Sequence, residues 1–541
     1  MGHGIGFGGR VDHPFGARVR IGGMKLTDRH LDQVSKPSSG LGRGAAIGIL
    51  AALFSLGMAE LVAGLSARLR SPVLDIGDRV IDLVPSPVKE FAIDVFGTAD
   101  KLALLIGIMT ILLGYSAVVG MVAARKSLVA GVLAIGLLGL VGAVAGATGP
   151  VGLVGITPSL IGAAAGTAAL VVMSRWTPGI ANPHFGASRR SFLMASGAVL
   201  ASAATLGTAG RALESRFDAG RSRTSIQLPT PNNPLEPIMP EASFAGIDGL
   251  SPFTTPNAEF YRIDTALTIP QVPVDTYRLR IGGMVDRPLE LTYQDLLNRA
   301  LIESDITMTC VSNEVGGKLV GNARWLGVRL DDLLAEAGIQ PGADQIVGRS
   351  VDRYTCGFPV AALDGRDAMV AIGMNGAPLP LEHGFPARLI VPGLYGYVSA
   401  TKWLGEIQLT TFADFDHYWV GRGWAPRAPI KTQSRIDTPK ALDRIPAGPT
   451  TVAGVAWAQT RGIETVEVRI DNEPWQAAEL AAELTNTTWR QWRFQWTATA
   501  GRHDIACRAT DGTGETQTEE RAQPIPDGAS GWHSLVIFVD G

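Results

Sequence analysis

Five stretches of apolar residues divide the first part of the chain into regular blocks. An α-helix needs about 20 residues to cross roughly 30 Å of hydrocarbon, and four of the blocks clearly reach that length. The fifth is weaker because it is rich in alanine, serine and glycine. The pattern predicts five transmembrane helices, over residues 44–66, 102–123, 127–147, 151–173 and 191–209.

Basic residues are distributed unevenly between these blocks. Arginines and lysines crowd residues 1–43, and the loops after the second and fourth blocks carry Arg125, Lys126, Arg175, Arg189 and Arg190. Basic loops stay on the cytoplasmic side of a membrane. We therefore expect a multi-pass protein of the cell membrane with a cytoplasmic tail over residues 1–43, and five spans place everything after residue 211 outside.

A short basic motif precedes the fifth block. Residues 188–193 read Ser-Arg-Arg-Ser-Phe-Leu, which resembles a twin-arginine export signal. Such signals carry folded proteins across the membrane, and a domain exported folded usually holds a cofactor loaded in the cytoplasm. The alternative is a pair of ordinary topological anchors. The expected organisation is a four-helix transmembrane region (44–173), followed by this motif with the fifth helix (174–210).

The hydrophobic pattern changes after residue 210. Residues 211–250 are polar and contain several prolines, which is typical of a linker. Short strands and amphipathic helices follow over residues 251–427 and predict an α+β domain. Residues 428–541 contain regularly spaced short strands separated by turns, which predict an immunoglobulin-like β-sandwich. Alternation along one of these strands turns Cys507 inward, as a buried structural thiol.

Composition narrows the possible chemistry. The chain is 46% hydrophobic, with a mean hydropathy of +0.18, and this apolar excess lies almost wholly before residue 211. A formal net charge of -3 gives no indication of nucleic-acid binding. Three cysteines cannot form a disulfide framework. None of the eight histidines lies in an apolar block, so we expect no haem within the membrane helices.

Three motifs in the soluble half resemble the sulfite oxidase family of molybdopterin enzymes. The first is Asn-Ala-Glu-Phe-Tyr-Arg-Ile-Asp at 257–264, and the second is Thr-Met-Thr-Cys-Val-Ser-Asn at 307–313, continued at 323–330. The third runs from Met374 through His383-Gly-Phe-Pro-Ala-Arg388 to Lys402-Trp-Leu-Gly. The resemblance covers roughly residues 250–541 and implies a C-terminal dimerisation domain.

The resemblance also implies a cofactor site and a reaction. Cys310 would be the thiolate ligand of molybdenum, a soft ligand suited to the metal. Cofactor binding would fall to Asn257, Phe260, Tyr261, Cys310, Thr355, His383, Arg388, Ser399 and Lys402. The implied reaction is a two-electron oxygen-atom transfer, with electrons passing to or from a separate cytochrome or quinone-linked protein.

One position departs from the family pattern. Sulfite-oxidising members carry an arginine shortly after the ligand cysteine, whereas this chain has Glu314 there. A carboxylate would repel sulfite, although Arg262 and Arg324 are catalytic candidates that would partly compensate. A neutral sulfoxide or N-oxide, reduced rather than oxidised, therefore competes with an oxyanion as substrate. A different class, a cofactor-free cell-surface binding protein, is the further alternative.

Overall fold

The computed structural model describes residues 38–66, 68–85, 88, 91–92, 95–96, 99–149, 151–175 and 189–541. Most of the expected cytoplasmic tail, and Ser188 of the arginine motif, lie outside these residues. The N-terminal part, called here the helical unit, contains α1 (Ser38–Ala63), α2 (Pro72–Leu83), α3 (Asp100–Arg125), α4 (Leu128–Ala147), α5 (Thr157–Ser174) and α6 (Arg189–Glu214).

Five of these helices, α1 and α3 to α6, are long and apolar enough to cross a membrane, which confirms the prediction of five apolar helices. Helix α1 packs against α3, α5 and α6. The approach to α3 is so close that a Cβ atom on Gly48 would lie 1.9 Å from the carbonyl oxygen of Ser116. Glycine at this position therefore allows the two backbones to touch.

Helix α2 was not predicted, because it lies in the mixed-charge loop between the first two apolar blocks. Ser71 caps its first turn by accepting a hydrogen bond from the N–H of Val73. One face of α2 is buried, with Asp75 packed against the last turn of α4 at Gly146. The helix lies at the end of the helical unit that faces the rest of the chain.

The next domain contains the motifs to which the resemblance assigns the cofactor site, and it is called here the catalytic domain on that expectation. It is built on two sheets. One has the strand order β2-β1-β10-β5-β6, and the other has the order β3-β4-β7-β8 with β9 paired to β7. Apolar side chains from both sheets and from a short helix, including Ile281, Val328 and Leu333, share one core. The strands are β1 (Arg278–Gly283), β2 (Leu289–Thr292), β3 (Leu301–Thr309), β4 (Val320–Arg329), β5 (Gln345–Ser350), β6 (Thr355–Pro359), β7 (Met369–Met374), β8 (Ala377–Pro378), β9 (Arg388–Ile390) and β10 (Leu404–Thr410).

Three short helices connect these strands, and a fourth, α7 (Ala219–Thr224), precedes them. The three are α8 (Tyr293–Leu297), α9 (Leu330–Ala337) and α10 (Gly396–Ser399). Single 3₁₀ turns occur at Gly152–Ile156, Ser215–Phe217, Pro240–Ala242, Val360–Ala362, Leu381–His383 and Val420–Arg422. The segment 211–250, expected to be a linker, contains α7 and packs on the catalytic domain, where Arg223 donates to the carbonyls of Pro378 and Leu379.

The C-terminal domain consists of two further sheets. Their strand orders are β11-β13-β17-β16 and β12-β19-β18-β14-β15, and side chains from both sheets form one core. Cys507 is fully buried in that core, as its alternation predicts. The strands are β11 (Gln433–Thr438), β12 (Arg444–Pro446), β13 (Gly448–Trp457), β14 (Ile463–Ile470), β15 (Gln476–Ala477), β16 (Glu479–Leu480), β17 (Arg490–Ala498), β18 (Gly501–Asp511) and β19 (His533–Asp540).

Candidate active site

Cys310 directly follows strand β3, at the point where the strand becomes a loop. Its backbone N–H donates to the carbonyl of Leu319, which closes the β3–β4 hairpin around the loop. Burial raises the pKa of the thiol, whereas hydrogen bonds with Ser312 and the charge of Lys402 oppose that rise. Cys356 and Cys507 pack into apolar cores instead. Cys310 differs from them in lying at the end of a strand, where a loop begins, with the charge of Lys402 acting on its thiol.

Tyr261 is close enough to the thiol for Cys310 to affect the pKa of its hydroxyl. Its ring stacks on Phe260 with the ring centroids 5.3 Å apart, and Phe260 in turn contacts Trp325 and His383 edge-on. Burial raises the pKa of the Tyr261 hydroxyl, Cys310 adds to the rise and Arg388 opposes it. The phenol therefore stays protonated at neutral pH and can donate a hydrogen bond.

Arg388 is a buried arginine of the catalytic domain that has no carboxylate partner among the described residues. It is 4% exposed, and none of the ion pairs among the described residues includes it. Its Nη1 donates to the carbonyl of His383, its guanidinium lies 5.1 Å from the centre of a Trp325 ring, and its Nε has no partner. Burial lowers the pKa of Arg388 to about 10. A buried cation without a carboxylate needs an anion from outside the chain.

Lys402 belongs to a cluster of charges around Asp264. Its Nζ donates to Asp264 Oδ2 at 3.0 Å and to the carbonyl of Glu382. Burial lowers the pKa of Lys402 to about 8, although the charge of Asp264 acts in the opposite direction. Burial would also raise the pKa of Asp264, but Lys402, Arg262 and Lys101 outweigh it and hold that pKa well below its usual range.

The loop that carries His383 is held against Arg388 and Lys402. Gly384 has φ +108°, and a Cβ atom there would lie 3.0 Å from the Cα of Lys402, so a side chain would push the two segments apart. His383 Nε2 lies 3.0 Å from the carbonyl of Asn257. Burial and the charge of Arg388 lower the pKa of His383 to about 4, so the neutral ring donates this hydrogen bond at pH 7.

The side chains of three expected cofactor-binding residues form hydrogen bonds with other groups of the protein. The Asn257 side chain accepts a hydrogen bond from Asn375 at 2.8 Å. The Thr355 hydroxyl accepts one from the backbone N–H of Tyr418. The Ser399 hydroxyl donates back to the carbonyls of Leu394 and Tyr395 at the start of its own helix, α10. These contacts shape the loops around the site.

The two catalytic arginine candidates are engaged by carboxylates. Arg262 is 38% exposed and its Nε donates to Asp264 at 2.7 Å. Arg324 lies opposite Asp305 in the β3–β4 register, five positions from Cys310 along the strand, and donates to that carboxylate. The Glu314 side chain is exposed. The structure therefore brings Arg262 near Lys402, whereas it places Arg324 away from the thiol.

Sequence reasoning missed two residues that the fold brings to the site. Asp264 ends the first motif, and Ser312 lies two residues after Cys310 in the second. Both residues belong to the family motifs. Only the tertiary structure shows that Asp264 is surrounded by cations and that Ser312 forms hydrogen bonds with the thiol. No group of three or more His, Cys, Asp or Glu able to hold a metal occurs among the described residues.

These features fit an anionic, sulfur-bearing cofactor. Cys310 could supply a thiolate, while further metal ligands would have to come from the cofactor. The unpartnered Nε of Arg388 and the cations around Asp264 suit its phosphate, because guanidinium and ammonium groups are the usual partners of phosphate. The residues present therefore match the chemistry of a molybdopterin.

Comparison with known proteins agrees. Residues 266–419 match the family model "Oxidoreductase molybdopterin binding domain". Mitochondrial sulfite oxidases of Macaca fascicularis and Homo sapiens are 31% and 30% identical over 341 residues, which cover 53% of this chain and 62% of theirs. The uncharacterized oxidoreductase YuiH of Bacillus subtilis (strain 168) is 32% identical over 151 residues, 28% of this chain and 73% of its own.

A solved structure, the sulfane dehydrogenase SoxCD from Paracoccus pantotrophus, is similar over 52% of this chain and 79% of that chain, with 25% identity and a TM-score of 0.45. The match to the mitochondrial sulfite oxidases spans 62% of their length, which is less than two thirds. The cofactor is molybdopterin with molybdenum, and the chain is an enzyme. The chain belongs to the sulfite oxidase family of molybdopterin-dependent oxidoreductases.

Proposed function

We propose that this protein is a membrane-anchored, extracytoplasmic oxidoreductase that transfers an oxygen atom at a molybdenum centre ligated by Cys310. One observation carries the proposal: the buried Cys310 thiol has hydrogen bonds with Ser312 and senses the positive charge of Lys402. When bound, the molybdenum cofactor supplies two-electron oxygen-atom transfer. The residues of the chain hold that cofactor and orient the substrate.

Each residue has a distinct task in this proposal. Cys310 supplies the thiolate, and Arg388 with Lys402 binds the anionic end of the pterin. Phe260 and His383 form the aromatic wall that supports Tyr261. The protonated Tyr261 hydroxyl donates a hydrogen bond to an oxygen atom in the site, which favours substrates or products that carry such an oxygen.

We infer that a neutral S- or N-oxide is the better substrate. Arg324 is paired with Asp305 and lies away from the thiol, and Arg262 donates to Asp264, so neither arginine presents an unpaired guanidinium to a dianion. The mitochondrial relatives named above are sulfite oxidases, and oxidation of sulfite or a similar oxyanion is the competing proposal. Electrons would pass to or from a separate carrier, either a cytochrome or a quinone-linked protein.

Metal analysis combined with kinetics tests this function. The full-length protein should contain molybdenum and pterin in near-stoichiometric amounts and should turn over S- or N-oxides with a reduced artificial donor. Cys310→Ser should lower turnover more than roughly hundred-fold, since losing even an outer partner of a metal ligand costs 10- to 100-fold. Cys507→Ala is the matched control and should keep full turnover. Protein without molybdenum would refute the proposal. Oxidation of sulfite that is faster than reduction of S- or N-oxides would show that the enzyme works as an oxidase.

The proposed location depends on the arginine motif before α6. Arg189 and Arg190 begin that helix. If they form a twin-arginine signal, Arg189→Lys with Arg190→Lys keeps both charges and still strands the soluble half inside the cell. Protease accessibility of residues 251–541 in intact cells measures this. Normal export of the double variant would mean that the pair is only a topological anchor.

The C-terminal domain is proposed to be an immunoglobulin-like dimerisation module. Its two sheets with one shared core support that fold. A homodimer in detergent, measured by sedimentation, is the expected assembly, and a monomer at micromolar concentration would contradict it.

A further inference from the structure

The helical unit contacts the catalytic domain at the charge cluster beside the cofactor site. Lys101, in the first turn of α3, donates from its Nζ to Asp264 Oδ1 at 3.0 Å and to the carbonyl of Ala266. The other oxygen of Asp264 accepts hydrogen bonds from Lys402 and Arg262. A single carboxylate therefore joins a lysine of the helical unit to a lysine of the candidate active site.

The charges of this cluster do not balance. Lys101, Arg262 and Lys402 surround the one carboxylate of Asp264, which is only 5% exposed. Asp352 is a neighbouring acid whose pKa is raised by burial and further by the charge of Asp264. A positive surplus remains even if Asp352 is counted as fully ionised. Because Lys101 and Arg262 also pair with Asp264, this carboxylate neutralises Lys402 only in part. Lys402 can therefore still attract an external anion.

We propose that Lys101 is a positioning residue for the cofactor, so that the helical unit forms part of the cofactor site and is more than an anchor. Lys101 holds Asp264 from one side and thereby limits how strongly Asp264 pairs with Lys402. Without Lys101, the carboxylate would turn fully toward Lys402 and weaken its attraction for the pterin phosphate. This inference rests on the proposed role of Lys402 in binding the cofactor.

The same interface offers a matched control. Asp82 of α2 contacts the Tyr418 hydroxyl and Arg422 of the catalytic domain, and it is as accessible as Lys101, at 38% against 32% exposed. This contact joins the same two parts of the protein but includes none of the residues around Asp264. If Lys101 served only to dock the two parts, loss of either contact would have the same effect.

The experiment measures release of pterin from the full-length protein in detergent, by fluorescence after dilution, together with molybdenum content. Lys101→Met should release pterin about five-fold faster than the wild type, which corresponds to about 1 kcal/mol. Lys101→Arg should restore retention, because it keeps the charge. Asp82→Asn should behave as the wild type. Wild-type retention in Lys101→Met, or equal losses in Lys101→Met and Asp82→Asn, would overturn the inference.

A second background tests the route through Asp264. In Asp264→Asn protein the carboxylate is gone, so adding Lys101→Met should change pterin release by less than two-fold. A persisting five-fold effect would mean that Lys101 acts directly through space and would overturn its positioning role. Lys402→Met distinguishes a failure of the proposed cofactor site from a failure of the role of Lys101. If Lys402→Met leaves release unchanged, the proposed role of Lys402 fails; if it speeds release while Lys101→Met does not, only the inference fails.

Discussion

Two acidic residues of the catalytic domain, Asp305 and Asp264, are both almost completely buried and paired with arginine, yet they build different sites. Asp305 accepts both of its hydrogen bonds from Arg324, whose remaining N–H groups donate to the carbonyls of Leu235 and Glu236. That pair is electrically neutral and satisfied within the protein. Asp264 instead collects three cations, and its surroundings retain a positive charge.

The comparison shows that the partner of an arginine, and not its position in a motif, decides what the arginine can do. Arg324 stands in a family motif, but Asp305 occupies its charge. Arg388 also stands in a motif and has no carboxylate partner among the residues that the structure describes. A buried unpaired charge is costly to the fold, so its presence indicates an anion that binds there.

The sharpest test of this contrast is Arg388→Met. Pterin release should accelerate about ten- to hundred-fold, because a hydrogen bond to a charged group contributes about 1.5–3 kcal/mol. The cofactor-free protein should become more stable by about 1 kcal/mol, since an unpaired buried charge is replaced by an apolar side chain. Fluorescence of released pterin and thermal melting of the cofactor-free protein measure the two effects. A cofactor-free variant that melts earlier would show that Arg388 is structural.

Pterin retention should also depend on pH, with a smaller effect, because Lys402 titrates within an accessible range. Burial lowers this pKa to about 8, so the lysine loses its charge as the pH rises from 7 to 9.5. Pterin retention should therefore fall about five-fold over that range, by about 1 kcal/mol. The cofactor-free protein should gain stability between pH 8 and about 10, because the unfolded chain then binds the extra proton.

Lys402→Arg is the matched variant for this pH dependence. Arginine stays protonated throughout the range, so retention should no longer change between pH 7 and 9.5. Titrating pterin release in both proteins gives the comparison. The same pH profile in both would assign the loss to another group.

The smallest effect on the cofactor is expected from Arg324→Met. Asp305 is 1% exposed and would be left without its cation, so the protein should lose about 3 kcal/mol of stability. Pterin release at a temperature where the variant is folded should stay within two-fold of the wild type. Adding Asp305→Asn should recover part of the lost stability. Rapid pterin loss in the folded variant would restore Arg324 as a site residue.

Local patterns along the chain accounted for much of the architecture. Apolar blocks of sufficient length predicted the five long helices, and α9 (Leu330–Ala337) is one of the short amphipathic helices expected within residues 251–427. Both depend on neighbours a few residues away, so the sequence reports them directly. Helix α2 was missed because its polar face gives the loop a mixed composition, and its apolar face has meaning only against α4.

The site was predictable in its residue types and less so in its contacts. Thr355 and Ser399 were expected at the cofactor. The Ser399 hydroxyl donates to the carbonyl of Tyr395 four positions before it, whereas the Thr355 hydroxyl accepts from the N–H of Tyr418, a contact that only the tertiary structure creates. The pairing of Arg324 with Asp305 follows from the register of β3 and β4, which no single motif contains. Cys310 as the metal ligand stays a prediction, supported by the hydrogen bonds with Ser312 and the charge of Lys402 near its thiol.

The sequence by itself determined the apolar helices, the α+β and β-rich halves, and the motifs that contain Cys310, Arg388 and Lys402, because each is written in consecutive or regularly spaced residues. Only the tertiary structure decided which charges are neutralised and which remain free. Lys101 and Asp264 are 163 positions apart, and their contact exists because the helical unit packs on the catalytic domain. Electrostatic interactions depend on distance in space, so the balance of charge around the cofactor is a property of the fold.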